Sequence, residues 1–369
     1  MIIATALLVG LLLAFANGAN DNFKGVATLL GSGTTSYRTA LGWATLTTAL
    51  GSVAAFFVAR TLLAAFSGKG LVPPEVVADP SFPAAVGFAA GATVLLATRL
   101  GFPVSTTHAL IGGLVGAGLL ASPVGVDRGR LLGSFVVPLL TSPVIAVALA
   151  AGLYPILRSL RRQLGVTRST CVCVGEEVVG VVPGAPGAAR ALELVRLPTV
   201  SVGEARCEVR YEGDVVGVDA GRLLDLAHFA SSGAVSFARG LNDTPKIAAL
   251  LLVGGAIDPA LALAAVGILI AIGGVTSARR VAQTMAHGVT AMNAGQGFTA
   301  NMVTAALVIG ASRLGVPVST THVSVGSLFG IGAVTGQGHW GTITSILLAW
   351  AITLPVAGAL GALAFTILR

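Results

Sequence analysis

The sequence predicts an all-α polytopic membrane protein, with two inverted-topology repeats containing broken or re-entrant helices and a small β-rich cytoplasmic insert between them. The first observation behind this is composition. The 369 residues are 54% hydrophobic and 10% charged, with a mean hydropathy of +0.90, whereas soluble domains carry roughly 25% charged residues. Forty-nine glycines and few aromatics suit closely packed helices, and the apolar runs are too continuous for the alternation of a barrel. The second observation is a duplication. Arg99–His108 reads RLGFPVSTTH and Arg313–His322 reads RLGVPVSTTH, identical at nine of ten positions across an offset of 214, which marks an internal repeat. The third is a polar stretch, residues 159–222, which holds eight of the fifteen acidic residues.

In chain order, residues 1–16 are apolar and lack the basic start of a signal peptide, so they read as a retained first membrane helix. Asn17–Asn22 interrupts that run. Tyr37 and Arg38 read as a loop, followed by spans near residues 40–58 and 84–98. Pro103 then stands where a helix can begin but cannot continue, and a helix is expected from Ser105 to about Leu120, with Gly112 and Gly116 as a small-residue packing face. A further span reaches Leu157, which places repeat one at residues 1–158. In the insert, Glu204–Tyr211 alternates charged and apolar residues as a half-exposed strand does, and Val181–Gly184 resembles a strand ending in a turn. Cys171, Cys173 and Cys207 all lie there; they are too few for a disulfide framework, and without a histidine they make a poor metal site. Repeat two, residues 223–369, begins with Phe237–Asp243, which answers Phe15–Asp21 at an offset of 222. The drop to 214 at the second motif corresponds to eight residues lost from a loop.

Loop charges set the orientation. Arg38 follows the first span of repeat one and Asp258 that of repeat two, while the next loop is near neutral in repeat one and carries Arg279 and Arg280 in repeat two. Opposite bias at equivalent loops implies inverted repeats with about five crossings each. The basic cluster Arg158–Arg168 puts the insert in the cytoplasm and both termini outside. The net charge of +7 is explained by these loops, and nucleic acid is excluded as a partner.

Charges inside apolar stretches cost several kcal/mol each in lipid and mark function. Asp21 with Lys24 and Asp243 with Lys246 both follow the pattern Asn-Asp-x-x-Lys, and i,i+3 spacing lets each aspartate reach its lysine. They read either as structural ion pairs or as parts of a transport site at helix interruptions. The hydroxyls Ser105, Thr106 and Thr107, and Ser319, Thr320 and Thr321, stand at expected helix N-termini. There, unpaired N–H groups and the positive dipole end make an anion cradle; helix capping is the alternative. His108 and His322 suit either proton transfer or a structural role, and Arg99 and Arg313 read as interface anchors. A polar run through Gln283, Thr284, His287, Asn293, Gln296 and Asn301 suggests a broken helix beside a wet cavity, with Gln283 and Thr284 as further candidates.

These motifs resemble those of the inorganic phosphate transporter family, the sodium- or proton-coupled phosphate carriers. The resemblance rests on Gly18–Asp21, Gly240–Asp243, Pro103–His108 and Pro317–His322, and covers both membrane halves but not the insert. It implies phosphate held by the two Ser-Thr-Thr groups, with coupling ions near Asn20, Asp21, Asn242 and Asp243. The family usually has asparagine where Lys24 and Lys246 stand here. A lysine ammonium would then replace a bound sodium and make coupling proton-driven or otherwise sodium-independent; alternatively the lysines contact the anion.

The expected protein is therefore an alternating-access, ion-coupled carrier of inorganic phosphate in the cell membrane, not an enzyme. No cofactor is expected beyond coupling by protons or sodium. Its partners are inorganic phosphate and the lipid bilayer, and a homodimer stays open. The same scaffold would suit a sulfate permease. An intramembrane Ser/His enzyme is a rival of another class, but a symmetric duplication argues against one reactive centre. A receptor acting through the insert would bind tightly without flux.

Overall fold

The computed structural model describes residues 1–58, 60–122, 124–183, 192–203, 216–252 and 255–369. Ten helices of sixteen residues or more occur among them. The first half holds α1 (Ile2–Asp21), α2 (Tyr37–Val58), α3 (Ser81–Leu100), α4 (Thr106–Ala121) and α5 (Val137–Gln163). The second holds α6 (Ala220–Leu251), α7 (Pro259–Ser277), α8 (Ala294–Arg313), α9 (Thr320–Thr335) and α10 (Trp340–Leu368). Six spans among the described residues are long and apolar enough to cross a membrane: α1, α2, α3, α5 with the helical turns before it, α7 and α10. By contrast α4 and α9, at sixteen residues, are only about 24 Å long against a hydrocarbon core of about 30 Å. Both are buried from their first residue through most of their length, so they are held by protein, not by lipid.

Two compact units emerge, one of Met1–Tyr154 with His228–Arg369 and one of Pro155–Ala227. The smaller unit contains a three-stranded antiparallel sheet in the order β2-β1-β3, formed by β1 (Cys171–Pro183), β2 (Leu192–Gly203) and β3 (Val216–Asp219). Cys171 pairs with Gly203 on one side and Asp219 on the other. Cys171 and Cys173 are buried while Val172 and Val174 are exposed, the period-two alternation of a one-sided sheet. Val181–Pro183 ends β1 as expected; the strand expected over Glu204–Tyr211 lies outside the described residues.

Inside the larger unit, glycines bring helix backbones into contact, and they do so twice in the same way. A methyl group on Gly18 would stand 2.0 Å from the Ile270 carbonyl oxygen, and one on Gly273 would stand 2.0 Å from that of Phe15. The counterparts 222 positions away repeat this: Gly240 faces the Thr48 oxygen at 2.1 Å and Gly51 the Phe237 oxygen at 2.0 Å. Thus α1 crosses α7 and α6 crosses α2 at van der Waals distance, the close approach that only small residues permit. The second packing face is exchanged between halves. Gly112 and Gly116 of α4 lie on the Leu354 and Gly358 carbonyls of α10, whereas Gly326 and Gly330 of α9 lie on the Pro143 and Val147 carbonyls of α5.

Three expectations about local structure change. Tyr37 and Arg38 open α2 and are not loop. The interruption expected over Asn17–Asn22 comes later: α1 stays helical through Asp21, and the chain then breaks into a turn through Val26 and a five-residue helix, Ala27–Gly31. Its counterpart does not break: α6 runs unbroken through Asn242, Asp243 and Lys246 with Pro245 inside it. Both segments are buried, but Gly25 follows the first lysine where Ile247 follows the second, and glycine is the poorer helix former. The polar run of the second half is interrupted as expected. Arg279–Gln283 passes into a π-helical turn, Thr284–Gly288, and the chain re-enters helix at α8 through a capping box between Asn293 and Gln296.

Gly240→Val is expected to destabilise the protein by about 1–3 kcal/mol or more, because the new side chain meets rigid backbone. Gly133→Ala, at a position with open space, should be nearly neutral. Thermal unfolding of both variants in detergent checks this.

Candidate functional site

Each copy of the duplicated motif makes the same turn. Gly101 ends α3 in the left-handed region at φ 79°, and Gly315 follows α8 at φ 68°, conformations open to glycine at little cost. Proline two residues on keeps the chain extended until serine restarts a helix. Ser105 (φ −93°, ψ 114°) N-caps α4, its Oγ accepting the His108 N–H at 3.1 Å. Ser319 (φ −95°, ψ 114°) N-caps α9 by accepting the His322 N–H at 3.2 Å. The serine hydroxyls are thus held by backbone N–H groups, the capping arrangement, and not by an imidazole as a nucleophile would be.

The threonines are joined to the lysines, and the joining crosses between halves. Lys24 Nζ donates to Thr321 Oγ1 at 2.7 Å, to the Val104 carbonyl at 2.8 Å and to Asn20 Oδ1 at 2.8 Å, and it pairs with Asp21. Lys246 Nζ donates to Thr107 Oγ1 at 3.0 Å and the Val318 carbonyl at 2.8 Å, and lies 3.7 Å from Asp243 Oδ1. The hydroxyls close the same circuits: Thr321 Oγ1 donates to the Val104 oxygen at 3.0 Å and Thr107 Oγ1 to that of Val318 at 3.5 Å. Each lysine therefore reaches the threonine of the opposite motif. Thr106 Oγ1 donates to Asp21 Oδ2 at 3.3 Å and Thr320 Oγ1 to Asp243 Oδ2 at 3.4 Å.

The asparagines position the turns. Asn20 accepts the Val104 N–H at 3.1 Å and donates to Thr98 Oγ1 at 2.9 Å and the Phe102 carbonyl at 3.0 Å. Asn242 donates to the Val318 carbonyl at 3.2 Å and Asp243 Oδ1 at 3.0 Å, and accepts from Ser312 at 3.3 Å. The twelve candidates drawn from the Asn-Asp-x-x-Lys and Ser-Thr-Thr motifs are all buried and come together here, whereas Gln283 and Thr284 do not join them.

Sequence reasoning missed Arg239 and Asn17. They occupy equivalent positions, 222 apart, in Phe15–Asp21 and Phe237–Asp243. Arg239 is 1% exposed; its Nη2 donates to Asn17 Oδ1 at 2.7 Å, its Nη1 to Asn22 Oδ1 at 3.1 Å and Thr48 Oγ1 at 3.4 Å, and its Nε lies 3.8 Å from Asp243 Oδ2. Asn17 Nδ2 in turn donates to Asp21 Oδ2 at 3.1 Å, Thr106 Oγ1 at 3.0 Å and Asp243 Oδ2 at 3.3 Å. An arginine between Ala238 and Gly240 was a readable signal, as a third charge in the apolar stretch that holds Asp243 and Lys246. Lys24, Lys246 and Arg239 against Asp21 and Asp243 leave one positive charge in excess in their ordinary ionised forms, a balance that favours an anion.

His108 and His322 lie against each other with ring centroids 4.3 Å apart and planes tilted by 44°, and Trp350 stacks on His322 at 3.9 Å while its indole N–H donates to the Pro103 carbonyl at 2.9 Å. The polar run mostly cross-links helices. Asn301 donates to Thr28 Oγ1 at 2.8 Å and Ser232 Oγ at 2.7 Å, and Thr284 Oγ1 to the Gly101 carbonyl at 2.8 Å. Gln283, Arg99 and Arg313 are exposed. No group of three or more metal-ligating side chains occurs among the described residues.

The sequence profile of the phosphate transporter family matches residues 17–361, and the chain belongs to that family. A provisionally named phosphate permease of Pyrococcus abyssi is 29% identical over 98% of this chain and 96% of its own length. A protein of Haemophilus influenzae with the same provisional name is 28% identical over 98% and 95%. A solved structure titled "The sodium-dependent phosphate transporter" superposes with a TM-score of 0.75 at 22% identity, over all of this chain and 98% of that one; it shares the fold.

Removing a cap and removing a lysine partner should separate. Ser105→Ala and Ser319→Ala are each expected to lower stability by about 1 kcal/mol, while Ser→Gly at either position costs only a few tenths. Thr107→Val and Thr321→Val leave a buried ammonium short of an acceptor and should cost about 1–3 kcal/mol. Denaturant or thermal unfolding of the purified variants measures the difference.

Proposed function

We propose that this member of the phosphate transporter family carries inorganic phosphate across the cell membrane by alternating access between two inverted repeats. The anion is held by Thr106, Thr107, Thr320 and Thr321, by the N-terminal ends of α4 and α9 capped at Ser105 and Ser319, and by Lys24 and Lys246. The observation that carries this reading is the crossed pairing of each lysine with the threonine of the opposite motif. Both ammoniums and both hydroxyls converge on two backbone carbonyls, those of Val104 and Val318. An arriving oxyanion is a stronger acceptor than a carbonyl and takes over those donors, so binding loosens the ties between halves as it makes new ones. That exchange is what a carrier needs if the loaded site is to open on the other side.

Coupling follows from the same residues. Lys24 beside Asp21 and Asn20, and Lys246 beside Asp243, occupy the place a coupling sodium would take. The reading is sodium-independent transport driven by protons, in contrast with the solved relative named as sodium-dependent. Asp243 favours phosphate over sulfate. It lies within ion-pair distance of Lys246 and Arg239 and accepts from Asn242, Asn17 and Thr320. Once Lys246 and Thr320 turn to the arriving anion, it can accept the hydrogen bond that a protonated phosphate donates and sulfate lacks. On the same reading the Arg158–Arg168 cluster keeps the insert in the cytoplasm and both termini outside.

Radiolabelled phosphate uptake into proteoliposomes, with sodium and pH gradients imposed separately and excess unlabelled sulfate as competitor, tests this. Uptake driven by the pH gradient alone with sulfate inert is expected. A strict sodium requirement would overturn the coupling assignment, and displacement by sulfate in preference to phosphate would overturn the substrate.

A further inference from the structure

The buried guanidinium of Arg239 is surrounded by oxygen drawn largely from other helices. Its guanidinium meets the Asn17 side-chain oxygen at 2.7 Å and backbone carbonyl at 3.5 Å, Asn22 Oδ1 at 3.1 Å and Thr48 Oγ1 at 3.4 Å, with Asp243 Oδ2 at 3.8 Å from Nε. Five oxygens from three segments therefore surround one positive charge: α1 and the turn after it, α2, and α6 itself. Every contributing residue is at most 3% exposed. An all-oxygen donor set of neutral amide, hydroxyl and carbonyl groups with one carboxylate is the kind that hard cations take. Arg239 Nε has no hydrogen-bond partner, so the oxygens are not arranged to satisfy all five donors of a guanidinium.

The cage is held from behind. The Gly51–Gly240 crossing sets Thr48 against α6, and Gly274 lies so close to Asn22 that a methyl group there would meet the Asn22 amide nitrogen at 2.3 Å. The duplication supplies the asymmetry: where the second half has Arg239 the first has Asn17, and the first half's residue is the ligand that receives the second half's cation.

We propose that these oxygens form a binding site for a monovalent cation, which this chain has closed permanently with its own Arg239 guanidinium. The tethered charge keeps the site positive without recruiting an ion from solution, and it holds Asn17 where that residue can bond Asp21, Asp243 and Thr106. Removing the side chain while leaving the oxygens opens the cage to a free cation.

The test is Arg239→Ala, purified and titrated at constant ionic strength with millimolar guanidinium, sodium or lithium, and with choline as a cation too large to enter. The first readout is the melting temperature in the absence of phosphate. The variant should melt below the wild type, guanidinium or a small alkali ion should restore much of the loss, choline should not, and the wild type should not respond. The second readout is phosphate binding, which should weaken about tenfold or more, the usual consequence of losing a charge-assisted hydrogen bond, and recover with the same cation. A variant as stable and as tight for phosphate as the wild type without added cation overturns the proposal, as does a loss that no cation restores. If Arg239→Ala does not fold, Arg239→Lys and Arg239→Gln decide: lysine should keep phosphate binding and glutamine should lose it, and equal behaviour overturns the proposal. The phosphate arm rests on the function proposed above and the melting arm does not. A wild type that binds no phosphate would therefore refute that function and leave the cation test standing.

Discussion

The constraint on which this structure depends is that a charge buried in an apolar helical protein must be paired within the protein. Burying a charge that lacks a partner costs several kcal/mol or more, and five such groups meet here: Asp21, Lys24, Arg239, Asp243 and Lys246, all at most 3% exposed. Local pairing at i,i+3 satisfies part of the need. The remaining donors find acceptors within their own half, on the Val104 and Val318 carbonyls, and across the duplication, on Thr321 and Thr107. The halves are therefore joined by polar contacts that neither could complete alone.

That joining requires backbone geometry that bulky residues would forbid. The carbonyls of Val104 and Val318 are available because glycine, proline and serine in succession stop one helix, hold the chain extended and start the next. Three residues before each aspartate, Gly18 and Gly240 let α1 and α6 lie directly on α7 and α2. The glycine in each Gly-x-Asn-Asp sequence thus positions the site without touching it. The exchange of packing partners, α4 on α10 and α9 on α5, interleaves the halves further. Moving one motif relative to the other must repack helices from both halves, the kind of two-state change alternating access requires.

Much of this was legible in the sequence, and the reasons are physical. Apolar length and periodic glycine identify membrane helices, and a near-identical decapeptide repeated 214 positions on identifies the paired turns. The i,i+3 ion pairs and serine caps follow from helix geometry alone. The rest depends on which elements become neighbours, and sequence carries that only indirectly. Lys24 pairs as expected with Asp21, yet its partnership with Thr321, 297 positions away, arises from the fold. Asn-Asp-x-x-Lys reads the same in both halves, but one copy sits at a helix break and the other within an unbroken α6, even with Pro245 inside that helix. Arg239 was passed over for a similar reason: its partners lie on α1, the turn after it and α2.

Asn17 and Arg239 bear on how a duplicated site acquires direction. A two-fold arrangement of identical ligands binds a symmetric anion equally from either side, and its charge is set by pairs that cancel. Here Asp21 with Lys24 and Asp243 with Lys246 do cancel, so any excess charge must come from a position where the halves differ. Arg239 is that position within the core of the network, and its charge lies nearer Asp243 than Asp21, since its direct ion-pair contact is with Asp243. Lys246 stands 3.7 Å from Asp243 whereas Lys24 is in direct contact with Asp21. A third cation beside Asp243 shares the load of compensating that carboxylate, which Lys246 approaches less closely than Lys24 approaches Asp21. The duplicated scaffold thus supplies the ligands, and one substitution between its halves makes them unequal.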